Sequence, residues 1–123
     1  LQPARWNGTR SAERMPHLDR YWSKADPDYC DGEGAESFAT LLRRCEAALV
    51  RLAAMPPASL VYVFGHGQFI QAARAIVADA HMDERAKMRA FWRKGEPPAI
   101  SNAQRVGFHW QDGCWECAPA IAA

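Results

Sequence analysis

The stretch Leu60-Val61-Tyr62-Val63-Phe64-Gly65-His66-Gly67-Gln68 decides the fold reading of this 123-residue chain. Five consecutive apolar residues, two of them valine and two aromatic, suit a strand buried on both faces. A strand with one wet face would alternate apolar and polar. Gly65 stops the run and Gly67 follows one residue later, so a tight turn is expected to leave the strand. Beyond it Phe69, Ile70, Ala73, Ile76, Val77 and Ala80 recur at spacings of three and four, the stripe of an amphipathic helix. The local order is strand, glycine-flanked histidine, helix. It sets His66 past the carboxyl end of a buried strand and beside the free N–H groups of a helix start. In α/β sheets ligands bind there, and a helix start favours anions. A histidine so placed can contact a phosphate, donate a proton or do both. The competing reading is a histidine that only satisfies a carbonyl at a strand end.

Size and composition bound the rest. The length fits one domain, residues 1–123, large enough for a core but small for an α/β sheet. Nearly half the residues are apolar and 24% are charged, and the net charge is +1, so nothing global argues for nucleic acid or a membrane as partner. No apolar run reaches membrane-spanning length and the N-terminus has no signal-peptide pattern, which makes the cytoplasm the default location. Cys114-Trp115-Glu116-Cys117 has the spacing of a zinc half-site or redox pair. A full zinc site needs two more ligands, and on a strand positions three apart face opposite ways. Reduced, packed thiols are the expectation for Cys30, Cys45, Cys114 and Cys117.

Upstream of the central stretch, Arg5, Arg10, Arg14, Arg20 and Lys24 are interleaved with Trp6, Tyr21 and Trp22. Thr9 is placed to cap a short helix from Ser11 to Met15, which Pro16 should interrupt. Arg5, Arg10 and Arg14 could line an anion site, and aromatics among basic residues can suit nucleic acid; a solvated basic face is the plainer reading. Asp26, Asp28, Asp31, Glu33 and Glu36 lack calcium-loop spacing and read as a mobile acidic surface turn. Glu36 to Ala54 is then strongly helical, with Phe38, Leu41, Leu42, Cys45, Leu49 and Leu52 on one face, Glu33 and Glu36 complementing its dipole, and Met55-Pro56-Pro57 ending it.

Downstream, Asp83–Lys94 predicts a helix with Met88, Phe91 and Trp92 on its apolar side. Arg85, Lys87, Arg89, Arg93 and Lys94 form its basic side, with Gly95 as the stop. Gln104–Trp110 and Trp115–Ala118 read as strands joined by Gln111-Asp112-Gly113, a strong hairpin signal. Pro119 and the alanines after it read as a frayed tail. The hairpin offers the only candidate partner strands, so one flank of Leu60–Phe64 lacks a neighbour. Together with a first residue that is leucine, this suggests the C-terminal part of a larger α/β protein. An unpaired flank also predicts self-association into a homo-oligomer.

These residues carry a family resemblance. Gly34-Ala35-Glu36-Ser37-Phe38, then Arg44, then the run from Leu60 to Gln68 resemble the C-terminal half of the histidine phosphatase superfamily, the phosphoglycerate-mutase-like proteins. Ile100-Ser101-Asn102 and a hairpin bearing Trp115 are similar to that family's end. The resemblance covers residues 34–118 well and residues 1–33 loosely, and its specificity lies in the order and spacing of short motifs. It implies an α/β fold, the three-layer α/β/α type, incomplete here because the N-terminal strand and nucleophile motif are absent. It implies phosphoryl transfer in which a first histidine, within Arg-His-Gly, becomes phosphohistidine. A second histidine, matched by His66, binds the phosphoryl group and stabilises its charge. Gln68 would contact phosphate and the helix start at Gly67 would add backbone donors, with no metal and no cofactor. The implied ligand is a phosphorylated small molecule or a phosphate or sulfate anion. No Arg-His-Gly occurs in the chain, and neither the acid/base carboxylate nor the upstream phosphate-binding arginine has a clear match. Glu36 belongs to a structural motif. The expectation is a fragment of a histidine phosphatase or mutase, inactive as this chain. The alternative is a non-catalytic phosphate-binding or protein-interaction module.

Overall fold

A computed structural model describes residues 4–92 and 100–118. A single 3-10 turn, Ala4–Trp6, precedes four helices: α1 (Ser11–Lys24), α2 (Phe38–Ala53), α3 (Gly67–Ala78) and α4 (Glu84–Phe91). Two strands follow, β1 (Phe108–Gln111) and β2 (Cys114–Cys117). The chain is thus mixed helix and strand, with a helical core and a small hairpin packed by β2 against α3.

α2 is the central element, and its sequence explains it. The Ser37 side chain accepts the Thr40 backbone N–H at 3.1 Å, capping the start. Phe38, Leu41, Leu42, Cys45 and Leu49 are buried along one face, as their spacing requires. Around that face gather Tyr21 and Trp22 of α1, Ala72 of α3 and Met88 of α4. Trp22 lies nearly parallel to Trp92, ring centroids 5.4 Å apart, and meets Phe38 edge-on at 5.7 Å. Tyr21 and Trp22, among the N-terminal basic residues, are therefore core groups. They do not form a stacking platform for bases.

α1 departs from expectation. It continues through Pro16 to Lys24. A mid-helix proline removes one ladder bond and costs about 3 kcal/mol, and the burial of Tyr21 and Trp22 one turn further on offsets it. Thr9 does not cap: its hydroxyl donates to the Trp6 carbonyl at 2.6 Å. The Arg10 backbone N–H is instead taken by the Glu13 carboxylate at 3.0 Å.

α4 begins at the cap Asp83, whose carboxylate accepts the Ala86 N–H at 2.7 Å. Lys87, read as part of the basic side of this helix, does not face solvent. It is buried and its Nζ donates to the Met82 carbonyl, satisfying a charge that could not otherwise be buried. The expected end of this helix at Lys94 and Gly95 lies outside the described residues, as does the tail from Pro119.

The hairpin forms as read, over shorter strands. Gln111 pairs with Cys114 and Phe108 with Cys117. Asp112 and Gly113 both take positive φ, 51° and 79°, the two-residue turn that suits strand twist. Cys45 is buried as expected, but Cys30 and Cys114 are exposed thiols.

The largest correction concerns Leu60–Phe64. These residues form no strand, and the only sheet among the described residues is the two-stranded hairpin. Their exposures run 81%, 42%, 70%, 61% and 94% from Leu60 to Phe64. The cause is that a strand needs a partner. β-branched and aromatic residues favour an extended backbone, yet the ladder hydrogen bonds must come from another segment. The hairpin pairs only with itself, and no other described segment supplies the missing edge.

Candidate functional site

The site is built on the start of α3. His66 is the residue flanking the first helical position, with φ −88° and ψ 151°, and its carbonyl accepts the Ile70 N–H at 3.1 Å. No side chain caps this helix, so its first-turn N–H groups, at Gly67, Gln68 and Phe69, have no intrahelical acceptor. The side chains of His66 and Gln68 are both exposed at this end. The arrangement offers backbone donors, an imidazole and a carboxamide at one helix start, which is chemistry for an oxyanion.

The flanking glycines act differently from the tight turn expected of them. Neither Gly65 nor Gly67 adopts positive φ. A methyl group on Gly67 would meet Ile100 at 3.5 Å, an ordinary contact. What the glycines contribute is the absence of side chains on either side of the imidazole.

The first turn of α3 is tied to α2. Phe69 carries the Arg44 guanidinium over its ring, 5.2 Å from the centroid. Arg44 in turn donates to both carboxylate oxygens of Glu36, Nε to Oε1 at 2.9 Å and Nη2 to Oε2 at 3.1 Å. This fork, chiefly the Glu36 hydrogen bonds, raises the Arg44 pKa and holds its charge. The Cys45 thiol donates to the Phe69 carbonyl at 3.6 Å, and burial pushes that thiol up to about 11. It is a packed donor and no nucleophile.

Sequence reasoning missed this link. It treated Glu36 as a complement to the helix dipole and took Arg44 only as one residue of the family motif. Glu36 instead lies before the Ser37 cap and spends its charge on Arg44. The signal was their shared place in one short motif, but the join through Phe69 connects two helices and has no local signature.

The other candidates disperse. Arg5 pairs with Asp31 at 2.9 Å, Arg10 contributes its backbone to a cap, and Arg43 lies 4.0 Å from Asp28. The acidic run is thus used in part as partners for these cations and for Arg44. His17 packs on Trp6, centroids 4.4 Å apart, and His109 stands across the hairpin from Glu116. Neither shares the setting of His66.

Compared with known families, residues 3–118 match the histidine phosphatase superfamily (branch 1). The chain belongs to that superfamily. The match extends through the N-terminal third, where the motif resemblance is loose, so the whole described part of this histidine phosphatase relative falls inside the family pattern. Comparisons with curated proteins and with solved structures return no match. No helix among the described residues is long and apolar enough to cross a membrane.

Proposed function

We propose that this chain is a fragment of a phosphoryl-transfer enzyme of the histidine phosphatase type, and that its residues 66–68 form part of the phosphoryl-binding site. The substrate class is a phosphomonoester, and the location is cytosolic. His66 faces the transferring group and stabilises its charge; Gly67 and Gln68 add a backbone N–H and a side-chain amide. Phosphoryl transfer asks the protein mainly for positioning and for donors aimed at the equatorial oxygens. A helix start and a histidine at its mouth supply both. Residues 1–123 form one domain, and the full enzyme would complete a three-layer α/β/α sandwich in which Leu60–Phe64 gains strand neighbours.

One observation carries this reading: the α3 start is uncapped, and His66 stands exposed beside it. Side chains of Ser37 and Asp83 cap α2 and α4, whereas α3, like α1, has no such cap; what distinguishes α3 is that an exposed histidine and an exposed carboxamide stand at its open start. The nucleophilic Arg-His-Gly is not in these 123 residues, so the reading assigns binding to this chain and no turnover. The same observation supports a non-catalytic phosphate-binding module, which differs only in never meeting a nucleophile.

The test is a titration of the His66 ring resonances with inorganic phosphate and with vanadate, assigned through His66→Ala. A saturable shift confined to residues 65–70 is expected. Ring signals that ignore millimolar anion while the fold is intact would make His66 structural and remove the reading.

A further inference from the structure

The two faces of the hairpin carry different chemistry. Along β2 the exposure alternates, with Cys114 and Glu116 exposed and Trp115 and Cys117 partly buried. That is the two-residue rhythm of a strand. It sets Cys114 and Cys117 on opposite faces, so the C-x-x-C pair does not converge on one ion. The register supplies a different set. On the inner face Trp110 pairs with Trp115 and Phe108 with Cys117, the two tryptophans standing beside Ile76 of α3. On the outer face His109 pairs with Glu116 and Gln111 with Cys114, and all four are exposed.

We propose that His109, Cys114 and Glu116 form a zinc-binding site on the outer face of the hairpin. Imidazole, thiolate and carboxylate are all zinc ligands, held at about 2.0–2.3 Å. A thiolate beside an imidazole favours zinc over magnesium or calcium. The backbone places the three residues. Opposed residues of an antiparallel pair have Cβ atoms about 4.5–5.5 Å apart, and diagonal ones lie about 7–8 Å apart. His109 stands in the first relation to Glu116 and in the second to Cys114. Cys114 and Glu116 are neighbours on one face of one strand, about 7 Å apart. An ion above the strand pair is within reach of all three side chains, and three protein ligands leave tetrahedral zinc a fourth position for water.

Little in the fold competes for these groups. The side chains of His109 and Glu116 take part in no hydrogen bond or ion pair among the described residues. The Cys114 thiol donates to the Gln111 carbonyl at 3.3 Å, a weak bond that a metal would replace. As the side chains stand, no three His, Cys, Asp or Glu among the described residues are gathered closely enough to hold an ion. The set closes by rotation about side-chain bonds that exposure leaves free, over a backbone already in register. On binding, the thiol gives up its proton to solvent, and the resulting thiolate and the Glu116 carboxylate together balance the charge of the ion. The metal would hold β1 to β2 in a hairpin that is otherwise only a two-stranded ribbon.

The experiment titrates the full, reduced chain with Co²⁺ as a spectroscopic probe and then displaces it with Zn²⁺. One cobalt per chain is expected, with a sulfur-to-metal charge-transfer band in the near ultraviolet and the intense visible bands of a tetrahedral ion. His109→Ala, Cys114→Ser and Glu116→Gln should each weaken binding by about tenfold or more, with the helical circular dichroism unchanged. Cys117→Ser and Cys30→Ser should bind as wild type does. X-ray absorption of the zinc-loaded wild type should count one sulfur at the metal, a reading that needs no variant. Co²⁺ that keeps its aqueous spectrum, two sulfurs at the metal, or binding lost with Cys117→Ser or Cys30→Ser would each overturn the proposal. So would binding that survives intact when His109, Cys114 or Glu116 is replaced.

Discussion

Arg44 holds Glu36 through its Nε and Nη2, at 2.9 and 3.1 Å, while its Cζ lies over the ring of Phe69, three residues beyond His66, 5.2 Å from the centroid. A carboxylate just ahead of α2 is thereby joined to the first turn of α3. The pair fixes where the α3 start stands relative to α2, which is the geometry the proposed anion site depends on.

Replacing Arg44 by lysine should therefore cost nearly as much as replacing it by alanine. Lysine keeps the charge but loses the fork and the flat face. The Arg44 and Glu36 side chains are 56% and 23% exposed, so water screens the pair and the expected loss is about 1 kcal/mol. Urea denaturation of the two variants checks this. A lysine variant as stable as wild type would show that charge alone suffices.

Phe38 is fully buried where α1, α2 and α4 converge. Phe38→Ala should remove about 3–5 kcal/mol, a large share of the stability of a domain this size. The denaturation midpoint should fall steeply with the slope unchanged; a loss under about 1 kcal/mol would mean the cavity collapses.

How far the sequence could be read depended on how local each feature is. α2 was legible because its apolar stripe and its proline stop lie within one segment. The Asp112-Gly113 turn was legible because its chemistry is confined to two residues. Pro16 misled because a local helix breaker was overruled by Tyr21 and Trp22, which bury against α2 and α4. Leu60–Phe64 misled for the opposite reason: its propensity is right for a strand, but strand formation is a property of two segments. The position of His66 at a helix start followed from the glycine-flanked motif and the stripe after it. The Glu36–Arg44–Phe69 link depends on how α2 and α3 pack, and no window of sequence shows that.

The chain should show negligible phosphatase activity. It carries no Arg-His-Gly, and removing a covalent nucleophile commonly costs several orders of magnitude. Steady release of p-nitrophenol from p-nitrophenyl phosphate that vanishes in His66→Ala would contradict this.

Alkali should destabilise the fold, and the onset can be assigned. Burial raises Cys45 from the ordinary 9.0 to about 11, with Arg44 opposing and Glu36 and Glu46 adding to it. Burial, then Cys30 and Asp31, raises Tyr21 from 10.0 to about 12, with the Phe38 backbone N–H working the other way. Both groups are neutral when protonated, so above their unfolded pKa values the folded chain binds more protons than the unfolded one. Stability must then fall as pH rises. The contribution of Cys45 is fully present below pH 9 and drains away between about 9 and 11; that of Tyr21 follows between about 10 and 12. Each group adds a slope approaching 1.4 kcal/mol per pH unit inside its own window, by way of estimate about the most one proton can give. Urea midpoints measured from pH 8 upward should stay level and then decline. Cys45→Ala should flatten the first part of the decline, and Tyr21→Phe the second. A wild-type profile that is flat to pH 11 would mean that neither proton is held by the fold, and Cys45 would then have to be more open to water than its packing under Phe69 allows.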